Sequence, residues 1–532
     1  MEGNGILKFS SEYDGYLRDE SRMSGAAESI SFPRSDGEVG DILKTAAGED
    51  IPVTIQGGRT GITAGAVPDG GHILNLSLMN RITGLKYDEK SGAFFLAVQP
   101  GVLLSQLRAA LFTKSFDTDG WTADSLSALK KLEESAPWFF PPDPTETSAS
   151  IGGMAACNAS GARSFYYGPT RKYIEALTLR TADGSRISLR RGVNCANGRR
   201  FYLPAESGPA FSGNLPGYAM PAVKNAAGFH AEDDMDMIDL FIGSEGTLGV
   251  ITGLEIRLLP APGCIWGAAI FLPSEEAALK FVRAIRGEAV EGISHRAPPK
   301  PAAIEFFNCD SLNLYRRSKA ENLLSDGLPG LNPQFHTGVY IEYHGETEDT
   351  VCGRIMRAME ILNECGGSEE STWVADGSRE LQRLQSFRHA IPELVNTAVD
   401  RLRVLHPELT KLGTDMAVPD SRLQELMRIY NTDLEKRRLE SVIFGHIGAN
   451  HLHANILPRN RDEYEKGKKL YLDWAETVIS MGGTVSAEHG IGKLKTELLS
   501  AMYGDRGVNE MRALKKIFDP RSVLNRGNLF ET

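Results

Sequence analysis

The sequence predicts an α+β fold: a mixed first portion, a second portion in which strands and helices alternate, and a short helical tail. Three observations predict it. At 532 residues the chain is too long for one core, so it must divide into two or three packed units. Short apolar stretches alternate with helix-like polar ones from about residue 29 to 110, and strand-like segments resume after a break at Leu111 to Phe140. Pro260-Ala261-Pro262-Gly263 interrupts that alternation, because two prolines and a glycine continue neither a helix nor a strand. The expected units are therefore 1–262, 263–482 and a C-terminal segment, 483–532, too small to stand alone and expected to pack back on the first.

In chain order, Asp36 to Ala47 reads as a helix, and Ile51 to Ile55 and Phe94 to Val98 read as strands. Thr113 to Pro137 mixes Asp, Ser, Lys and Glu around Trp121. It reads as a surface excursion with one short helix, Ser125 to Glu134, that could cover a ligand, meet a partner or do neither. Strands resume at Ile174 to Arg180 and Val250 to Leu259. Beyond the proline boundary, the strands Ile265 to Leu272, Ala303 to Phe307 and Gly338 to Tyr343 alternate with the helices Glu275 to Ile285 and Val351 to Cys365. That repetition suggests βαβ-type units.

Composition narrows the function. Apolar residues at 41% and charged residues at 24% are those of an ordinary globular protein. With 58 basic against 69 acidic residues the net charge is −11, which argues against a nucleic-acid partner. It leaves an anionic substrate open, since one or two placed cations suffice. The six cysteines form no CxxC pair, so no iron–sulfur or zinc-ribbon framework is expected. Met1-Glu2-Gly3-Asn4 has no basic segment leading into an apolar core, and no apolar run approaches the ~20 residues of a membrane span. The expected location is cytoplasmic.

Gln56-Gly57-Gly58-Arg59-Thr60-Gly61 directly follows a strand. Glycines there let backbone N–H groups converge on an anion. The spacing is neither GxGxxG nor GxxxxGK[ST], and taken alone a tight turn explains it. It is followed, however, by Pro142-Asp143-Pro144, Ile151-Gly152-Gly153, Asn158-Ala159-Ser160-Gly161, Tyr167-Gly168 and Gly243-Ser244-Glu245-Gly246-Thr247-Leu248-Gly249-Val250-Ile251. These clusters of small residues would let backbone lie flat against a large planar ligand.

In this order the motifs closely resemble the vanillyl-alcohol oxidase and p-cresol methylhydroxylase superfamily of flavoproteins. Within it, the likeness is to the branch of D-lactate dehydrogenases, glycolate oxidase flavin subunits and D-2-hydroxyglutarate dehydrogenases. The resemblance implies a two-subdomain PCMH-type FAD-binding domain and an α/β substrate (cap) domain with an antiparallel sheet. The C-terminal helical segment would return to the FAD domain. It places the FAD pyrophosphate on Gln56, Gly57, Gly58, Arg59, Thr60 and Gly61. The flavin and adenine would lie along Pro142, Asp143, Gly152, Gly153, Asn158, Gly161, Tyr167, Glu245, Gly246, Gly249, Ile251 and Asn525. Arg59 stands where the family often has a third glycine; it is tolerable pointing to solvent, and its charge would favour phosphate. With no histidine in or beside the Gly57–Gly58 turn, FAD is expected to be noncovalent. The excursion at 113–137 looks longer than the branch has there.

Four of the eleven histidines fall in two late segments, Gly445-His446-Ile447-Gly448-Ala449-Asn450-His451-Leu452-His453 and Ala487-Glu488-His489-Gly490. If Leu452 to Leu457 is a strand, His451, His453 and Asn455 share one face, and His446 could fold back beside them. Imidazole and carboxylate suit zinc or manganese, though histidines without a metal explain this spacing equally well. The resemblance implies metal ligands at His446, His453 and Glu488, a general base at His489 and a substrate-carboxylate arginine at Arg388. Lys411 is a second carboxylate contact or a structural salt bridge. Ala449-Asn450-His451 departs from the family's Asp-Gly-Asn, so the turn could differ and His451 could add to, or displace, an expected ligand.

These residues together imply FAD-dependent oxidation of a small D-2-hydroxy acid of the lactate, glycolate or 2-hydroxyglutarate class. Electrons would leave to an external acceptor protein or quinone, and a homodimer is compatible with the sequence. Two alternatives stand beside this reading. One is a transferase like the alkylglycerone-phosphate synthases, which carry His-His-His where this chain has Ala487-Glu488-His489. The other is a flavin subunit active only inside an electron-transfer complex.

Overall fold

The computed structural model describes residues 5–206, 208–293, 300–324, 327–407 and 409–531. Met1 to Asn4, where no signal segment was read, lie outside the described residues. Three sheets organise the chain. The first has four strands in the order Ile6–Lys8, Ser29–Ser31, His72–Asn75, Val53–Gln56; its last three strands run parallel. The helix Asp36–Gly48 buries Val39, Ile42, Leu43 and Ala46 with Val53 and Leu74 of that sheet, and Ser35 caps its N-terminus by accepting from the Glu38 N–H.

The second sheet is antiparallel, in the order Ile82–Asp88, Ala93–Val98, Val250–Arg257, Ile174–Arg180, Arg186–Arg190. The excursion around Trp121 packs on it. Trp121 is buried and donates its indole N–H to the Ile82 carbonyl at 3.0 Å. The helix Ala123–Glu134 turns Ala128 and Leu132 into the same core. None of its residues lines the large cavity described below.

The third sheet has eight strands, and its βαβ-type units are split: the helices Glu275–Ile285 and Glu348–Glu364 each join two strands that run the same way, with one antiparallel strand between them. Thr372–Ala375, Cys264–Leu272, Thr337–Gly345, Ala303–Phe307, Ser441–His446 and His451–Ile456 follow one another, with Leu412–Gly413 and Met416–Ala417 both on the last. Every pairing is antiparallel. A helix between two strands does not fix their adjacency, and here a neighbour from elsewhere in the chain is inserted between the two strands that each of these helices joins. The antiparallel substrate-domain sheet implied by the resemblance is what is found.

Two sets of contacts bring the units together. The tail does pack back: Val53 donates its N–H to the Val523 carbonyl, and Asn525 Oδ1 accepts from the Ile55 N–H at 2.7 Å. Across the other junction Arg163 donates to Glu342 at 2.6 Å, and the Tyr167 hydroxyl lies 2.7 Å from His344 Nδ1. Buried Glu342 ionises far more readily than usual, because Arg163 and His344 outweigh the cost of its burial.

Candidate active site

The glycine loop closes against the Ile-Gly-Gly run. A Cβ on Gly57 would meet Ser150 Oγ at 2.2 Å, and one on Gly58 would meet the Ser148 carbonyl at 2.6 Å, so these positions admit no side chain. Ser150 Oγ accepts from the N–H of both Gly58 and Gly153 at 3.2 Å, which locks the turn to the first turn of the helix Ile151–Ala156. The N–H groups of Thr60 and Gly61 donate to no protein acceptor among the described residues, leaving them for an anionic ligand. Arg59 does not point to solvent. It takes a left-handed φ of 58° and lays its guanidinium over the Tyr16 ring, 4.4 Å from the centroid.

These segments form one wall of a cavity of ≈ 760 Å³ that runs from Gly57–Gly61, Gly152, Gly153, Glu245, Gly246, Gly249, Ile251 and Asn525 to Glu305, Arg388, Lys411, His446, His453, Glu488 and His489. Glycine motifs and late histidines, some 400 residues apart in sequence, thus face one space. Glu245 helps bring them together: its carboxylate accepts from the N–H groups of Ile491 and Gly492, both at 2.7 Å. Asn525 likewise bridges Ile55 and the Glu245 carbonyl.

Six expected cofactor residues do not line this cavity. Gln56 holds the Tyr16 and Ala66 carbonyls at 2.7 and 2.8 Å. The Pro142 carbonyl and the Asp143 carboxylate accept from Arg108. Asn158 Oδ1 accepts from the Arg171 N–H, and Tyr167 reaches His344. Gly161, at φ 110°, lies so close to the Asp143 carbonyl that a Cβ would sit 1.8 Å away. All six brace the loops that do reach the cavity.

At the other end His446 and His453 occupy the antiparallel hairpin Ser441–His446/His451–Ile456, with His446 opposite His451. The altered turn is kept, because Asn450 adopts the left-handed φ of 52° that a glycine would supply. Its amide donates to Asp420 at 2.6 Å and its oxygen accepts from Arg286. His446 Nδ1 lies 2.7 Å from Glu305 Oε1, and His453 Nδ1 lies 2.7 Å from the Thr414 carbonyl. Both arrangements hold Nδ1 and leave Nε2 on the other side of the ring, as metal-binding histidines are commonly held. Among the described residues, donor atoms lie within 4.8 Å of one another in two sets, His446–His451–His453 and Asp415–His453–His489. Glu488 is in neither; its Oε2 sits 3.1 Å from His446 Nε2 and 3.0 Å from Lys224 Nζ. The residues fit a borderline divalent ion, with Glu488 shared with the Lys224 ammonium.

Asp415 is the hub. Fully buried, it lies 2.9 Å from His451 Nε2, 3.5 Å from His489 Nδ1 and 2.8 Å from Lys495 Nζ. Burial alone would make it a weaker acid, but His489, Lys495 and His451 hold it well below the usual carboxylate range. Burial lowers the His489 pKa, and Lys495 adds to this against the pull of Asp415, so the ring is a free base at neutral pH. Burial also opposes charge on His446, yet Glu305 and Glu488 outweigh it and push its pKa up to about 9. Arg388, on the helix Ser378–Leu405, has a buried Nε with no hydrogen-bond partner. Lys411 donates to Asn396 at 3.2 Å, and no carboxylate lies within ion-pair distance of it among the described residues. Its side chain is exposed to the cavity but enclosed by protein, and burial pushes its pKa down to about 8.

Glu305, Asp415 and Lys224 were not singled out by motif. Glu305 had a signal, an acid inside the apolar strand Ala303–Phe307. Asp415 follows shortly after the expected Lys411, and Lys224 stands in a Gly- and Pro-rich stretch with no pattern.

The cavity, its glycine walls and the basic imidazole opposite them define a flavoenzyme, and comparison with known proteins agrees. Residues 267–529 match the family "FAD linked oxidases, C-terminal domain", and residues 27–119 and 125–190 match "FAD binding domain". The chain belongs to the FAD-linked oxidases and is an FAD-dependent oxidoreductase. Similar proteins include the glycolate oxidase subunit GlcD of Bacillus subtilis, 28% identical over 94% of this chain and 89% of that protein. A D-lactate dehydrogenase of Anaerostipes hadrus is 28% identical over 97% and 92%, and a D-2-hydroxyglutarate dehydrogenase of Stutzerimonas stutzeri is 24% identical over 100% and 97%. Among solved structures, an alkyldihydroxyacetonephosphate synthase superposes with a TM-score of 0.61 at 16% identity, covering 99% of this chain and 82% of that one, which shows a shared fold. Residues 120–124 of the excursion fall between the two matched stretches. No helix among the described residues is long and apolar enough to cross a membrane.

Proposed function

We propose that the protein oxidises a small D-2-hydroxy acid to the 2-oxo acid, with FAD as oxidant and an external protein or quinone as final acceptor. The observation that carries this is the single cavity joining the glycine walls to Arg388, Lys411 and His489. Hydroxy-acid dehydrogenases among the similar proteins support the substrate class. Gly57 to Gly61, Gly152, Gly153 and the Ser244–Gly249 turn are the proposed FAD contacts. Bound FAD supplies a two-electron acceptor for the C2 hydrogen and its electron pair. A divalent ion held by His446, His453 and Glu488 would supply Lewis acidity toward the substrate hydroxyl. Arg388 and Lys411 hold the substrate carboxylate, and His489 takes the hydroxyl proton as C–O becomes C=O. Asp415 orients His489 and stabilises the imidazolium it becomes.

Anaerobic mixing with D- and L-lactate, glycolate and D- and L-2-hydroxyglutarate tests the proposal. Bleaching of the flavin absorbance by at least one D-acid or glycolate is expected. Failure of all of them would return the fold to the transferase reading, which the shared fold of the synthase keeps in view.

Lys411 carries a pH signature. Its positive charge is present below about pH 8 and lost above it. The ratio kcat/KM reports groups of the free enzyme, so it should fall as pH rises through about 8. In Lys411→Arg that alkaline limb should move beyond pH 10. An unchanged limb in the variant would remove Lys411 from substrate binding.

A further inference from the structure

The hairpin that carries His446 and His453 presents a third imidazole that the expected ligand set does not use. His451 is 0% exposed and lies directly opposite His446. Its Nε2 lies 2.9 Å from Asp415 Oδ1, an ion-pair distance without hydrogen-bond geometry. Nδ1 turns toward the shared space, 3.4 Å from Lys224 Nζ and 3.7 Å from Glu488 Oε2. Only a nitrogen with a free lone pair sits favourably that close to an ammonium. His446 and His453 are each held at one nitrogen by an oxygen acceptor, Glu305 and the Thr414 carbonyl, and His451 turns its Nδ1 to the Lys224–Glu488 pair that adjoins His446. A ligand nitrogen from each lies within 4.8 Å of the others.

A histidine whose work was only to support Asp415 would need no second nitrogen turned toward two more imidazoles. We infer that His451 is a metal ligand in this chain, forming with His446 and His453 a three-histidine set. This rests on the metal-assisted reading above and sharpens it. A third nitrogen in place of oxygen favours zinc over manganese, because imidazole suits zinc while oxygen ligands suit manganese. Lys224, beside both His451 Nδ1 and Glu488, opposes cation binding by charge and keeps affinity moderate.

The test uses FAD-loaded full-length protein stripped with a chelator and re-equilibrated with Zn²⁺ or Mn²⁺, with bound metal read by elemental analysis and affinity by chelator competition. Wild type is expected to hold one Zn²⁺ per chain in preference to Mn²⁺. In His451→Asn, zinc affinity should drop by about tenfold or more, since even residues that merely support a ligand cost about 10–100-fold, and the zinc preference should shrink. Unchanged zinc affinity and preference in that variant would overturn the inference while leaving the site itself standing. If His446→Ala and His453→Ala also keep their metal, or if wild type takes up none, the metal reading falls and the inference with it. Pulsed electron paramagnetic resonance of the copper-loaded wild type counts coordinated imidazoles without any variant: three support the inference and two refute it.

Discussion

Replacing His489 with glutamine is expected to slow flavin reduction by about 10²–10⁴-fold while leaving FAD bound, the usual contribution of a placed general base. The side chain reaches the cavity from the loop that follows Glu488, and the backbone N–H groups of Glu488 and His489 donate to Asp415 at 3.2 and 3.0 Å. Those contacts use main-chain atoms and survive the substitution, so the loop should stay in place. The ring of His489 also stacks on His453, with centroids 5.3 Å apart and planes 11° from parallel. Glutamine retains volume against that face but cannot accept a proton at neutral pH. Single-turnover mixing under anaerobic conditions separates the two requirements, because the flavin spectrum reports binding and its bleaching reports chemistry. Normal bleaching in the variant would exclude His489 as the base. If instead the flavin is lost, His489 belongs to the cofactor site.

Much of this was legible along the chain wherever function depends on local pattern. The helix Glu275–Ile285 and the strands Ile174–Arg180 and Ala303–Phe307 match their sequence expectations residue for residue, because their apolar periodicity is strong. The histidine hairpin was legible for the same reason: alternation on His451–Ile456 puts His451 and His453 on one face. What escaped was set by tertiary contacts. Asp143, Asn158 and Tyr167 belong to motif segments, yet their side chains satisfy Arg108, the Arg171 N–H and His344, partners far off in sequence that no local pattern announces. Strand adjacency in the third sheet escaped too, since a helical connection leaves open which strand is inserted between the two it joins. Asp415 had no motif of its own, and only the folded chain brings it to His451, His489 and Lys495.

Arg388→Met is expected to raise KM for the hydroxy acid far more than it lowers kcat. A buried polar group without a partner is rare and costly, and Arg388 Nε is one among the described residues. The guanidinium is otherwise held by its neighbours: Nη2 lies 2.9 Å from His389 Nε2, and the group sits 6.0 Å from the Tyr340 ring centroid. His389 is well suited to accept that bond, because burial and the adjacent guanidinium push its pKa down to about 4 and keep it neutral. The guanidinium therefore keeps an unused donor, and Arg388 lines the cavity that His489 also lines. Removing one partner of a buried charge pair costs about 2–5 kcal/mol, which corresponds to a loss in kcat/KM between roughly 30-fold and a few thousand-fold. Methionine keeps the length of the side chain, so the wall of the cavity should hold its shape. The methyl ester of the same acid gives the control, since it has no carboxylate to pair. Wild type and Arg388→Met should turn over the ester at similar rates if the cation acts on the carboxylate. An equal loss on acid and ester would instead assign Arg388 to the architecture of the cavity wall.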